Sequence, residues 1–249
     1  MGLVETEGIV LRTIKLGEAD KIATVLSRHE GVVRGVAKGA RRLKSKFGAS
    51  LEPFTHIQFT FFEKDARELV TLTHAEITKS YFELTRDDRV LAPLEYLAGI
   101  VIEFAPLRAP DERFFRLLSA ALETLSAQPQ GVEEVVRYCE VWALKLAGFL
   151  PDVSRCSVCR RGFGGETGAP MLGAGGALQC RGCSGGKGTA VPGGVLRQLQ
   201  SALRARPDVW VRAEKSQADS NRAEAGALLH TLMTRALERE PKARKRTGS

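Results

Sequence analysis

The residues best suited to chemistry are four cysteines in two pairs, "CSVC" (Cys156 and Cys159) and "CRGC" (Cys180 and Cys183), with twenty residues between the pairs. A C-x2-C turn aims two thiolates at one cation, and two such turns fill four tetrahedral positions at roughly 2.3 Å from a metal. Four protein ligands leave no place for water, so the spacing predicts one structural, not catalytic, zinc ion. Disulfides or free thiols are the competing arrangement, and a cytosolic setting argues against the disulfides. Gly162, Gly164, Gly165, Gly168, Gly173, Gly175 and Gly176 crowd this region. So much glycine loses entropy on ordering and buries little, hence the need for a staple. Arg155, Arg160, Arg161 and Arg181 flank the cysteines. They either offset the thiolate charge or contact phosphate, and both readings use the same electrostatics. The fifth cysteine, Cys139, sits in a helical pattern, where core packing is the favoured role.

A second chemical feature is "RGVAKGARRLKSKFG", residues 34–48. Arg34, Lys38, Arg41, Arg42, Lys44 and Lys46 fall together with no acid among them. Like charges so close repel unless a partner neutralises them. Strand alternation puts Arg34, Val36 and Lys38 on one face and Val33, Gly35 and Ala37 on the other. The remaining cations continue into the following connection, and Phe47 beside them is a candidate for stacking on a base. A solvated loop is the alternative. Catalytic role sets do not assemble. "SGGKGT", residues 184–189, fails the phosphate-loop pattern because Arg181 and Gly188 stand where Gly and Ser or Thr are needed. No G-x-S-x-G or H-E-x-x-H occurs, and His29, His56, His74 and His230 are scattered. The expectation is a protein that is not an enzyme.

The elements that must position these groups are legible in outline. Five runs rich in Val, Ile, Thr and Phe lie at 6–14, 21–28, 32–39, 55–63 and 69–77. Gly31 in "HEG" suits a hairpin turn. Five strands with a longer insert after the third suit an OB-type barrel, whose insert often holds a short helix. From residue 87 the apolar period becomes helical in "RVLAPLEYLAGIVIEF", "DERFFRLLSAALETLSA" and "VEEVVRYCEVWALKLAGF". "GVLRQLQSALRAR" and "EAGALLHTLMTRALERE" read as later helices that return to complete a bundle. The predicted class is an α+β multidomain protein. The boundaries are a barrel at 1–80, a helical domain at 81–150, a zinc module at 151–192, the rest of the helical domain at 193–240 and a disordered basic tail at 241–249.

The chain has 249 residues, a net charge of +8 and 43% hydrophobic residues, which argues against disorder. Residues 1–80 carry 13 basic and 10 acidic groups, residues 81–150 carry 7 and 11, and residues 151–249 carry 17 and 8. Basic flanks around an acidic middle suggest that the flanks meet a polyanion. The N-terminus does not read as a signal peptide, its match to the myristoylation pattern is loose, and no long apolar run predicts a membrane span.

These motifs together resemble the bacterial RecO recombination-mediator family. The resemblance rests on "EGIVL", "GEADKI", "AKGARR" running into "KSKFG", and "LEPF" within residues 7–54, and on the placement of "CSVC" and "CRGC". It implies an OB-fold DNA-binding domain, a helical domain with an inserted zinc finger, and a DNA-repair role without catalysis. It further implies binding to single- and double-stranded DNA, strand annealing, and action with RecR, in some settings RecF, in loading RecA onto DNA coated by single-strand-binding protein. A cytoplasmic, nucleoid-associated protein follows from that role. The alternative is a zinc-stapled protein-interaction adaptor without a direct DNA role, and a nuclease is a third class.

Overall fold

The computed structural model describes residues 2–63, 69–163, 168–214 and 219–237, and it divides into two compact units at Val132. The first unit is built on a closed barrel of β1 (Gly2–Leu16), β2 (Asp20–Ser27), β3 (Gly31–Ala37), β4 (Thr55–Glu63) and β5 (Val70–Ser80), in the order β1-β2-β3-β5-β4. The five strands fall where the alternating runs predict them, with β1 extended at both ends. Its length serves two neighbours: Gly2–Ile9 pair with β4, and Gly8–Leu16 with β2. A short parallel pairing of Gly35, Val36 and Ala37 with Val70, Thr71 and Leu72 closes the barrel. Its interior holds Val10, Val25, Val33, Ile57, Phe59, Phe61 and Leu72. Each such side chain contributes roughly 1.5–3 kcal/mol when fully buried. Gly35 is required here, because a Cβ would lie 2.7 Å from Leu72 Cγ.

The insert between β3 and β4 holds no helix, contrary to the sequence expectation. It is a chain of tight turns, with Arg42 N donating to Gly39 O (3.1 Å), Ser45 N to Arg42 O (3.0 Å) and Ser50 N to Phe47 O (2.9 Å). Gly39 and Gly48 adopt φ of +70° and +49°, left-handed conformations that interrupt a right-handed helix. Phe47, the expected stacking ring, is instead 3% exposed and belongs to the barrel core. Its burial removes more apolar area from water than an exposed position beside four charged residues could.

The first unit also contains α1 (Asp88–Phe104) and α2 (Glu112–Ala127). Asp87 and Asp111 cap them, each accepting from the amide two residues on at 3.0 Å. The α2 helix lies against the barrel through Phe115, whose ring stands 5.8 Å from that of His56, and through Glu112, which accepts from Arg28 Nε at 2.9 Å. The unit boundary therefore falls inside the stretch expected as one helical domain, because the apolar face of α2 finds cover on the barrel.

The second unit runs from Glu133. Its helices are α3 (Val132–Leu146), α5 (Gly193–Ala202), α6 (Pro207–Glu214) and α7 (Asp219–Leu237). Between α3 and α5 lies a small module with β6 (Met171–Leu172), β7 (Leu178–Gln179), the one-turn α4 (Arg181–Ser184) and β8 (Thr189–Ala190). The sequence pattern does not mark α6. It is fixed by Trp210, 2% exposed, whose indole N–H donates to Ser201 Oγ at 2.9 Å. Tyr138 and Trp142 of α3 donate to the carbonyls of Ala205 and Ala202, each at 3.0 Å. Cys139 is buried, as expected of a core thiol, and burial raises its pKa. The predicted tail at 241–249 lies outside the described residues.

Candidate nucleic-acid interface and metal centre

The cationic loop is held rigidly at its base. Asp20 Oδ1 accepts from Gly39 N at 2.7 Å, Arg41 N donates to Ala19 O at 2.9 Å, and Arg41 Nη1 donates to Gly17 O at 2.8 Å. Ala40, Phe47, Leu51 and Phe54 anchor it in apolar surroundings. With these side chains turned inward, Lys38, Arg41, Arg42, Lys44 and Lys46 are exposed or half-buried, and Arg34 is half-buried on the outer face of β3. Among the described residues, no carboxylate pairs with any of the six. The nearby Lys21 and Arg28 differ: Lys21 pairs with Glu52 at 3.1 Å, and Arg28 with Glu7 and Glu112 at 2.9 Å each. Leu43, at the tip between Arg42 and Lys44, is 102% exposed.

Strand register adds a cation that the sequence does not reveal. Arg12 pairs with Thr24, and Thr24 with Arg34, so the three form one row across β1, β2 and β3. Two strand spacings separate the arginine backbones by roughly 10 Å. The neighbouring row is Ile14, Ile22 and Val36, on the same outer face and none of them fully buried. Simple alternation would send Arg12 inward with Val10. A bulge at Leu11, where the register shifts between Val10 and Arg12, turns Arg12 outward instead. The one sequence signal is an Arg two residues after a core valine, which alternation cannot reconcile.

The candidate metal centre is assembled from two knuckles. In the first, Arg155 bridges to Gly162, Cys156 N donates to Arg161 O at 2.9 Å, and Arg160 N donates to Cys156 O at 3.0 Å. Arg160 takes a φ of +60° to complete the reversal. Asp152 Oδ1 tightens its approach, accepting from Ser154 N at 2.9 Å and Arg155 N at 3.2 Å. In the second knuckle Cys180 caps α4, and Gly185 ends it at a φ of +59°. Ser157 N donates to Leu178 O at 2.9 Å, joining the knuckles beneath Leu172, Leu178 and Val191, all buried.

The four sulfurs lie within 4.8 Å of one another, and Cys159 and Cys180 Sγ are 3.8 Å apart. A tetrahedron with metal–sulfur bonds of roughly 2.3 Å has edges of about 3.8 Å, so the donor set fits one such ion. Backbone amides already favour thiolates here. Cys156 is lowered to about 6, chiefly by the Cys180 amide at 3.3 Å. Cys180 is lowered by the Cys183 amide. Cys183 is pushed up to about 12, first by its contact with the Cys180 thiol. Cys183 is thus held back from ionising where a further thiolate would be repelled, the crowding that a cation relieves.

Fold and site define a class: an OB-type barrel carrying an unpaired cationic surface, in one chain with a helical unit that holds a four-cysteine metal module. The comparisons with known proteins agree. Residues 1–81 match the family model described as Recombination protein O N terminal, and residues 89–245 match Recombination protein O C terminal. The chain belongs to this RecO family. It is 34% identical to the DNA repair protein RecO of Streptomyces griseus over 95% of this chain and 97% of that one. It is 36% identical to the Rubrobacter xylanophilus protein of the same name over 74% and 72% of the two chains. The Koribacter versatilis protein of that name is 36% identical over 63% of this chain and 64% of its own. Among the described residues, no helix is long and apolar enough to cross a membrane.

Proposed function

We propose that this protein is a DNA-binding recombination mediator that anneals complementary strands, and that its module holds one structural zinc ion. The observation that carries this reading is the continuity of the Arg12–Thr24–Arg34 row with Lys38, Arg41, Arg42, Lys44 and Lys46, none paired with a carboxylate among the described residues. Such a surface is suited to a phosphate backbone, whose neutralisation releases counterions and drives binding with little sequence information. The Ile14, Ile22 and Val36 row beside it offers an apolar face on which unstacked bases of a single strand can rest. Neutralising phosphates also lowers the repulsion between two complementary strands, the barrier to annealing. Both single- and double-stranded DNA are accepted, with single strands gaining the base contact. The relatives' names as DNA repair proteins support the biological setting. Within it, action with RecR and RecF to load RecA onto DNA coated by single-strand-binding protein, in the cytoplasm at the nucleoid, is the expected role. The four sulfurs converge within 4.8 Å and would fill all four positions of one ion, so the metal would serve architecture and not catalysis.

The test is DNA binding and strand annealing by the purified full chain, with and without RecR, for the parent and for Arg34→Glu with Lys38→Glu. The variant is expected to keep its fold and lose affinity for single and double strands alike. Unchanged binding and annealing would remove the barrel face from the reading. Binding by partner proteins with none to DNA would favour the adaptor.

A further inference from the structure

The arginines around the cysteine module have no assigned task, and among the described residues no hydrogen bond joins their side chains to the sulfurs. Arg155, Arg160, Arg161, Arg181 and Lys187 are all exposed. Arg155 lies by Asp152, whose carboxylate is held ionised chiefly by the Ser154 hydroxyl and amide, with the Arg155 amide and charge assisting. The other four cations form no ion pair among the described residues. Direct neutralisation of the thiolates would place guanidinium N–H groups on sulfur. The hydrogen bonds that lower Cys156 come instead from the backbone amides of Cys180, Cys159 and Val158 and from the Cys159 thiol.

Charge counting points the same way. Four thiolates on one divalent cation carry a net charge of about −2. Arg160, Arg161, Arg181 and Lys187 exceed that, so the loaded module still presents positive charge. Between Asp152 and Asp208 the sequence has one acid, Glu166, against eight basic residues. Arg160 and Arg181 each follow a ligand cysteine directly, and Arg161 is the next residue after Arg160. Because the sulfurs converge within 4.8 Å, these guanidinium stems start from one small knob and not from a loose loop. Val158, between the first two ligands, is 62% exposed at the same knuckle, an aliphatic side chain set among cations as Leu43 is in the barrel loop.

We propose that the metal module is a second nucleic-acid site, in which Arg160, Arg161, Arg181 and Lys187 bind backbone phosphates and Val158 packs against a base or sugar. The inference rests on the reading of this protein as a DNA binder, but it uses a surface of the second unit alone. A chain with two phosphate sites engages two segments of nucleic acid, or a longer stretch of one, and its salt dependence exceeds what the barrel cations supply.

The experiment measures binding of the full chain to labelled oligodeoxythymidylate and to a duplex over a salt series. Four proteins are compared: the parent; a knuckle variant with Arg161→Glu, Arg181→Glu and Lys187→Glu; a barrel variant with Arg42→Glu, Lys44→Glu and Lys46→Glu; and the combination. Metal content is measured for each. The knuckle variant should keep its metal and flatten the slope of log K against log salt by about two to three units, since each phosphate neutralised releases about 0.7 to 0.9 counterions. The combination should be weaker than either variant alone. Lysine at positions 161 and 181 should restore binding, since charge and not guanidinium shape is required.

The inference is overturned if the knuckle variant binds as the parent does while the barrel variant is weak, a result that leaves the barrel reading intact. It is also overturned if the knuckle variant loses metal and Arg161→Gln with Arg181→Gln does so too with DNA binding unchanged, which assigns the arginines to the thiolates. Lysine replacements that retain metal yet bind as weakly as the glutamates count against it as well. A weak knuckle variant beside a parent-like barrel variant supports the inference and sinks the barrel assignment. If neither variant weakens, both fall.

Discussion

The amide of Cys180 donates to Sγ of Cys156 across 3.3 Å, joining two knuckles that stand 24 residues apart in the chain. Peptide geometry therefore docks the second pair of cysteines on the first, and the proposed metal would complete an arrangement that the backbone has begun. Substituting Cys156 and Cys159 together by Ser should abolish a stoichiometric metal ion, as read by elemental analysis. It should also lower the unfolding midpoint, because metal binding in small modules contributes on the order of 10 kcal/mol to folding. DNA affinity of the folded barrel should change less. Parent protein without metal, and with all four thiols titratable, would contradict the assignment.

Arg12 offers a sharper check on the barrel face than the loop does, because strand register alone places it in one row with Arg34, across Thr24. Arg12→Glu should weaken single- and double-strand binding together and flatten the salt slope by about 0.7 to 0.9 units, since one phosphate contact is lost. Arg28→Gln is the contrasting substitution. Arg28 is engaged by Glu7 and Glu112, so its removal should lower thermal stability and leave the salt slope alone.

Exposed aliphatics should report on strandedness. Leu43 and Ile14 are 102% and 44% exposed. Replacing both by Ser should cost about 1 kcal/mol, roughly fivefold, on single strands and almost nothing on duplex, whose bases are already stacked. Equal weakening on both, measured by anisotropy, would mean that neither residue meets a base.

His56 supplies a pH dependence of stability. It is 7% exposed, its Nε2 has no hydrogen-bond partner among the described residues, and it packs between Tyr81 and Phe115. Burial is the largest influence on it and pushes its pKa below the usual imidazole value, while Glu7 and Glu123 oppose and Lys79 assists. The unfolded chain therefore takes up a proton near pH 6.5 that the folded chain refuses. Its contribution to stability should fall as pH drops through about 6.5 and level off below the folded value. His56→Phe should flatten that part of the curve in denaturant titrations at a series of pH values.

Barrel packing gives a stability prediction independent of DNA. A Cβ on Gly8 would lie 2.5 Å from Val25 Cγ1 and 2.7 Å from Phe59 Cε1. Gly8→Ala should cost roughly 1–3 kcal/mol through overpacking. An unchanged midpoint in chemical denaturation would show that β1 can shift outward.

Local pattern was enough for much of this protein. Period-two runs marked all five barrel strands, because alternation records which face of a strand is buried. The paired C-x2-C spacing marked the four cysteines whose sulfurs converge, because turn geometry is local. Tertiary structure decided what depends on partners far along the chain. The parallel closure of β3 on β5 joins Gly35 to Val70, and neither segment announces the other. Phe47 lies in an aperiodic insert, where no pattern records a face, and the barrel interior drew it inward. Arg12 was turned outward by a bulge that alternation alone denies. The α2 helix showed an apolar stripe in the sequence, but only packing against His56 chose the barrel as its cover. A sequence records how strongly each side chain avoids water, and the folded chain decides which surface removes it from water.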